Sequence, residues 1–355
     1  MSVHKKLTRW AKERGVLYTG IRVQVTDGQG TGIIAARAIE PGEIILTVPA
    51  QAVHCLDTVD PIIALTLKHH ASIQGILAAD VMLGKASKYT SWKAVLPSEE
   101  SLHTSIPMMW PEALQALLPT AAKSLLYKQQ DKVRRDWGGV SSAFPGAERN
   151  EYLCHWFLVG TRTFYWETPS TKNLSHDDQL ALLPVADMFN HADVGCSVAF
   201  SAEEGYDITT KRAYQTGEEV YTSYGEHSND FLLTEYGFVL QDNRWDEVCL
   251  DDIIIPALNA ETSGCFKTQV ALRLLASKSD VWQEFLTSGD RQGPSQSETD
   301  ALLAQFLNNF SSRIQETLKQ IEELGSGQKA QRDLLTRRWK QIGTIVANCE
   351  QKLKP

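Results

Sequence analysis

The 355-residue chain contains no Cys-x-x-Cys pair; its six cysteines (Cys55, Cys154, Cys196, Cys249, Cys265 and Cys349) are scattered. That spacing excludes an obvious zinc site and suits reduced thiols in a cytoplasmic or nuclear protein better than a disulfide framework. An apolar run of the roughly 18–20 residues needed to span a bilayer is also missing, so no membrane partner is expected. Basic charge is in deficit, with 35 Lys and Arg against 43 Asp and Glu and a formal net charge of −8. Neutralising phosphates takes a basic surface, so nucleic acid is not expected as the main partner. No internal repeat marks a solenoid. What is present is a 43% hydrophobic, 22% charged composition, ordinary for a globular protein of one large elaborated domain or two smaller ones.

The opening MSVHKKLTRWAKERG is basic and sets Leu7, Trp10, Ala11 and Arg14 at helical spacing. It lacks the serines usual in a mitochondrial presequence, so an integral first helix within residues 1–20 is expected. Residues 21–49 run β-branched, break at glycines, resume, break at Glu40-Pro41-Gly42 and resume, which predicts three short strands joined by tight turns. Residues 61–136 carry apolar side chains three and four apart (Ile62, Leu65; Leu114, Leu117, Leu118), interrupted by Pro97, Pro107 and Pro111, and predict a helical insert. Residues 151–166 predict a dense aromatic helix, and 184–239 short strands again, two of them around a Thr216-Gly217-Glu218 turn. Beyond Pro256 the pattern is helical, crosses a polar link at 288–297, and ends in helices over 301–324 and 328–353.

Three motifs ask for an explanation. Gly28-Gln29-Gly30-Thr31-Gly32 follows a strand, as a dinucleotide fingerprint does, but Ile33-Ile34-Ala35-Ala36 leads to another strand and not to the helix that would hold a pyrophosphate. A plain hairpin turn, or a turn that lets a ligand approach the backbone closely, remains. Asn190-His191 sits between two apolar runs. A metal there would have only Asp187 and Asp193 as further ligands, too few at ligand spacing; turn chemistry and a ligand pocket are the other readings. Finally, Tyr224-Gly225 and Tyr236-Gly237 stand a dozen residues apart, where two phenols can serve one pocket.

In order, G-x-G, a Pro-Gly-Glu turn, Asn-His, Tyr-Gly and Glu-Tyr-Gly-Phe resemble the SET-domain protein methyltransferases. The similarity is to the subclass typified by the plant Rubisco large-subunit lysine methyltransferase and its fungal and animal relatives. Trp92, Leu96-Pro97, Pro107, Trp110 and Leu114 match that subclass's insert. The resemblance implies an α+β fold: a mainly β SET core with a knot-like crossing, a helical insert and a C-terminal all-α domain. Its segments would be a first helix (1–20), the core in two parts (21–72 and 151–245), the insert (73–150) and a helical substrate-docking domain (246–355). The zinc-binding cysteine cluster that follows the core in many histone methyltransferases is missing, in keeping with this subclass.

The resemblance also implies the chemistry. Gly30, Thr31, Gly32, Arg162, Asp187, Asn190, His191 and Tyr236 would hold S-adenosylmethionine, Arg162 by pairing with its carboxylate. Tyr236 would be the catalytic tyrosine, and Tyr224 would line the channel that takes the acceptor side chain. No metal is implied. The expected activity is methyl transfer to a lysine side chain of a non-histone protein by a monomer. The alternatives are another acceptor, notably histidine, where this subclass replaces the second tyrosine, a small molecule, or a repurposed fold that only binds.

Overall fold

The computed structural model describes residues 3–26, 30–84, 86–250, 272 and 296–353. The chain falls into two compact units, Met1–His103 with Tyr127–His227, and Thr104–Leu126 with Ser228–Pro355.

In the first unit, α1 (Val3–Lys12) buries Leu7 and Ala11, one turn apart on one face, and places Arg9 and Lys12 at its C-terminal end, where cations complement the helix dipole. Strands β1 (Leu17–Tyr18), β2 (Ile21–Thr26), β3 (Gly30–Ala35) and β4 (Ile44–Pro49) follow, so the three strands expected over 21–49 are present. After β5 (His54–Cys55), α2 (Pro61–Leu67) starts with Pro61 in its first turn and the Asp60 carboxylate accepting from Ile62 N–H at 2.9 Å. In α3 (Ile73–Leu83) every residue from Ile73 to Met82 is buried, the pattern of a helix enclosed on all sides. It packs on α8 (Arg149–Gly160), which follows α4 (Ala86–Lys93), α5 (Glu99–Ser105), the second unit's α6 (Glu112–Gln115) and α7 (Thr120–Ala143) in the chain. Gln74 on α3 donates to the Trp156 carbonyl of α8 at 3.0 Å.

The remaining strands are β6 (Thr163–Tyr165), β7 (Leu180–Leu182), β8 (Asn190–Ser201), β9 (Gly205–Thr209) and β10 (Glu219–Thr222). They build a seven-stranded sheet in the order β1-β4-β9-β8-β10-β3-β2 and a three-stranded sheet β5-β7-β6. All pairs are antiparallel except β8 with β10. That parallel pair is irregular: Tyr221 faces Asn190, and the next residue, Thr222, faces Cys196. The intervening stretch of β8 is pressed against β10, for a Cβ on Gly195 would lie 2.5 Å from the Thr222 carbonyl carbon.

The second unit has its own core. Trp110, Leu114 and Leu118 pack with Phe310 and Ile314 of α10 (Gln296–Glu323) and with Trp339 and Ile342 of α11 (Lys329–Lys352). Ahead of these, α9 (Asn229–Phe231) continues into a π-helical turn, Leu232–Tyr236, closed by Gly237 at φ +79°.

The α+β class, with a mainly antiparallel sheet of short strands and a helical C-terminal region, is the one expected. Several local details are corrected. The helix expected over 151–166 ends at Gly160, and Thr163, Phe164 and Tyr165 form β6 because their extended, β-prone backbone pairs with β7. The strands on either side of Thr216-Gly217-Glu218 are not neighbours: β8 lies between β9 and β10, and the chain between them instead bridges Tyr214 to Ile39. Residues 104–126 belong to the second unit, where Trp110, Leu114 and Leu118 find apolar partners on α10 and α11. The helical pattern expected beyond Pro256 and the polar link at 288–297 lie almost wholly outside the described residues. Among the described residues no helix is long and apolar enough to cross a membrane.

Candidate functional site

Three adjacent strands of the first unit bring Gly32, Glu219 and Asn190 together. Gly30 opens β3 with φ +78°, a left-handed conformation that suits glycine, and Thr31 leads to Gly32, which is buried. A Cβ on Gly32 would fall 2.5 Å from Glu219 Oε1 and 3.1 Å from Asn190 Nδ2, so the glycine is there for space. Asn190 Nδ2 donates to Glu219 Oε1 at 2.7 Å, and the Tyr221 hydroxyl donates to Glu219 Oε2 at 2.9 Å.

Asp187 lies on the 3₁₀ turn Ala186–Met188, immediately before β8, and is 5% exposed. The residue that enters this turn, Val185, is buried with φ +73°, a strained conformation for a β-branched side chain, held in place by its surroundings. Trp92 of α4 donates its indole N–H to Asp187 Oδ2 at 2.7 Å, and Arg162 Nη1 donates to the Asp187 carbonyl. Burial pushes the Asp187 carboxyl up to about 6, against the opposing pull of Arg162 and of the Trp92 hydrogen bond. Arg162 Nε and Asp187 Oδ1 are buried without a hydrogen-bond partner among the described residues. Both residues line a cavity of about 20 Å³ together with Trp92, Lys93, Val81 and Leu158.

His191 is buried, and its Nδ1 accepts the Tyr224 backbone N–H at 3.0 Å. Desolvation lowers its pKa, so the ring is neutral, and it lies 5.0 Å from the Tyr224 ring at 30°. The Tyr224 hydroxyl donates to the Phe189 carbonyl at 2.6 Å. Through these contacts Tyr224, just after β10, is tied to the start of β8. Among the described residues there is no group of three or more His, Cys, Asp or Glu that could hold a metal ion.

Tyr236 belongs to the second unit. It ends the π-helical turn between Phe231 and Phe238, with ring centroids at 6.3 and 6.2 Å. Burial, then Glu235, pushes its phenol up to about 12, so it stays protonated at physiological pH. Gly237 is required twice over, by its positive φ and by Ser105, whose backbone and Cβ lie 2.9 Å from any added Cβ.

Of the residues singled out in the sequence, Gly30, Thr31 and Gly32 on β3 and Asn190 on β8 lie on the two strands that flank β10, Arg162 and Asp187 meet at one turn, and His191 pairs with Tyr224. Sequence reading missed Glu219 and Trp92. An acidic residue inside a strand as short as Glu219-Val220-Tyr221-Thr222 was the available signal for the first, since Glu is disfavoured there. No local signal pointed from Trp92 to Asp187.

The SET domain model matches residues 30–225, more than half of the chain, and the protein belongs to the SET domain family. Among curated proteins it is 25% identical over 248 residues to the ribosomal lysine N-methyltransferase set11 of Schizosaccharomyces pombe, covering 69% of this chain and 63% of that protein. It is 27% identical over 261 residues to human SET domain-containing protein 4 (67% and 58% covered), and 25% identical over 269 residues to the actin-histidine N-methyltransferase of Drosophila melanogaster (67% and 49%). The chain spans less than two thirds of the length of these relatives. Among solved structures, Rubisco LSMT bound to AdoMet superposes with a TM-score of 0.61 at 16% identity, covering 100% of this chain and 93% of that one, a likeness of fold.

Proposed function

We propose that the protein transfers a methyl group from S-adenosylmethionine to the side-chain amine of a lysine in a non-histone protein. The observation that carries this reading is the meeting of Gly32, Asn190 and Glu219 on three strands of a SET-family sheet, together with Arg162 Nε and Asp187 Oδ1, buried without a hydrogen-bond partner among the described residues. The cofactor carries an amino-acid end with one carboxylate and one ammonium, and a guanidinium edge, an amide and carboxylates are the complementary groups.

Residues Gly30 to Gly32 admit the approach of a ligand to the main chain, and Asn190 and Arg162 hold its polar end. When bound, S-adenosylmethionine supplies an electrophilic methyl group on a sulfonium. Tyr236, assigned by its Glu235-Tyr236-Gly237-Phe238 motif, keeps a neutral phenol with which to orient the acceptor nitrogen. Tyr224, with its hydroxyl turned to Phe189, contributes its ring as a wall. A free lysine titrates near ~10.4, and a desolvated site beside a sulfonium favours its neutral form, so no dedicated base is assigned.

Histidine as acceptor is the second reading, supported by the similarity to the actin-histidine N-methyltransferase. The presence of Tyr236 and the similarity to the ribosomal lysine N-methyltransferases of two yeasts favour lysine. These relatives suggest a ribosomal or translation protein as the acceptor, whose basic surface would suit a chain of net charge −8. The test is incubation with methyl-labelled S-adenosylmethionine and a methyl-depleted extract, with labelled residues mapped by mass spectrometry. Label on lysine, lost in Tyr236→Phe and Asn190→Ala, supports the reading; label on histidine, or none, overturns it.

A further inference from the structure

Glu219 is a charged side chain in direct contact with both Gly32's face and the Asn190 amide, and nothing in the sequence motifs assigns it a task. Its two oxygens are both engaged, Oε1 by Asn190 Nδ2 at 2.7 Å and Oε2 by the Tyr221 hydroxyl at 2.9 Å. The Tyr221 phenol is pushed up to about 12 by burial and by Glu219, so it remains a donor at physiological pH and holds the carboxylate in one orientation.

A carboxylate only accepts hydrogen bonds, whereas an amide has one accepting and one donating end of nearly the same shape. Glu219 therefore decides which end of the Asn190 amide faces it: the NH2 end is compatible and the carbonyl end is repelled. The consequence is that Oδ1 is left as the amide's remaining function, an acceptor next to a negative charge. That combination welcomes a cationic donor and disfavours an anion. Replacing Glu219 by a neutral group frees the amide to turn over and present the wrong end.

We infer that Glu219 is a positioning residue which, by fixing the flip of the Asn190 amide, makes the Gly32 and Asn190 end of the site selective for a cationic group of the cofactor. The inference rests on the cofactor-binding role proposed above for Asn190.

The test is calorimetric binding of S-adenosylmethionine and of S-adenosylhomocysteine to the full chain, together with thermal melting of each variant. Glu219→Ala is expected to weaken binding of both ligands about 10- to 100-fold, the range for loss of a hydrogen bond to a charged group. Glu219→Gln, which keeps an acceptor but not the charge or the forced orientation, is expected to lose about 3- to 10-fold. In an Asn190→Ala background either change is expected to alter affinity less than about twofold, because Glu219 acts through that amide. The same loss in both backgrounds would mean a merely structural carboxylate and would overturn the inference. If Glu219→Ala does not fold, Glu219→Gln in the two backgrounds carries the same comparison. Wild-type protein that binds neither ligand overturns the proposed function and this inference with it; wild-type binding that is indifferent to Glu219 overturns the inference alone.

Discussion

The indole nitrogen of Trp92 and Oδ2 of Asp187 lie 2.7 Å apart although 95 residues separate them in sequence. Through this bond a helix of the insert supports the turn that delivers Asn190 to β8. The bond is made deep inside the unit, where the carboxylate pays for desolvation while Arg162 and Trp92 only partly compensate.

A pH dependence of stability follows. An unfolded aspartate titrates near ~3.9 and the folded Asp187 near about 6, so between those values the folded state holds a proton that the unfolded state has lost. This residue's contribution to stability is therefore greatest below about pH 4 and falls as pH rises to about 6, by about 3 kcal/mol in all. Asp187→Asn, whose amide carbonyl can still accept from Trp92, is expected to remove that decline. Denaturant unfolding of both proteins between pH 4 and 8 checks it: parallel curves would show that Asp187 titrates normally.

Two glycines should fail in different ways. At Gly195 an added Cβ meets two Thr222 main-chain carbons at 2.5 and 2.6 Å and the Tyr221 carbonyl oxygen at 2.7 Å, and a parallel strand pair cannot retreat from them. Gly195→Ala is expected to destabilise the protein by about 3 kcal/mol or more. At Gly32 the first obstacle is the Glu219 side chain, which can move. Gly32→Ala is expected to fold with a loss under about 1.5 kcal/mol but to bind S-adenosylmethionine at least ~10-fold more weakly. Melting temperature and calorimetry on the two variants separate the cases.

Tyr236→Phe removes a hydroxyl and little volume from a turn held by its neighbours. Methyl transfer is expected to drop about 100-fold or more, with cofactor affinity within about threefold of wild type. Because the phenol is pushed up to about 12, the wild-type rate should show no falling limb from this group below pH 10. Single-turnover rates and calorimetry give both readouts, and equal loss of rate and cofactor binding would remove the assigned role.

Arg338 on α11 is fully buried and donates to Asp230 Oδ1 at 2.7 Å and to Asp246 Oδ2 at 2.6 Å. Asp230 opens the segment that ends in Tyr236, and the adjoining Asn229 contacts Asp246, Gln341 and the Leu240 carbonyl. Arg338→Met leaves two buried carboxylates without their cation and is expected to cost about 3–5 kcal/mol in urea unfolding. Arg338→Lys should recover little of this, since one ammonium cannot reproduce the guanidinium fork. A midpoint unchanged in Arg338→Met would show the triad to be dispensable.

Legibility in the sequence followed the range of the interactions. The strands over 21–49 and the terminal helices were readable because β-branched runs, Pro-Gly turns and apolar spacing act within a few residues. The end of α8 was not, because Thr163 to Tyr165 become a strand only by meeting β7. Gly30, Gly32, Asn190 and Tyr236 were singled out through motif order, whereas Glu219 drew no notice in its short strand because its contact with Asn190 comes from another strand.

By itself, the sequence determined the local grammar: where helices start, where glycine must stand, and which polar residues had no business in an apolar run. The tertiary structure alone decided which of those residues meet. Hydrogen bonds such as Asn190 with Glu219 and Trp92 with Asp187, and the parallel approach of β8 to β10, depend on strand order and register. Those are set by the burial of whole faces of sheet and helix, a property of the assembled core and not of any short stretch of chain.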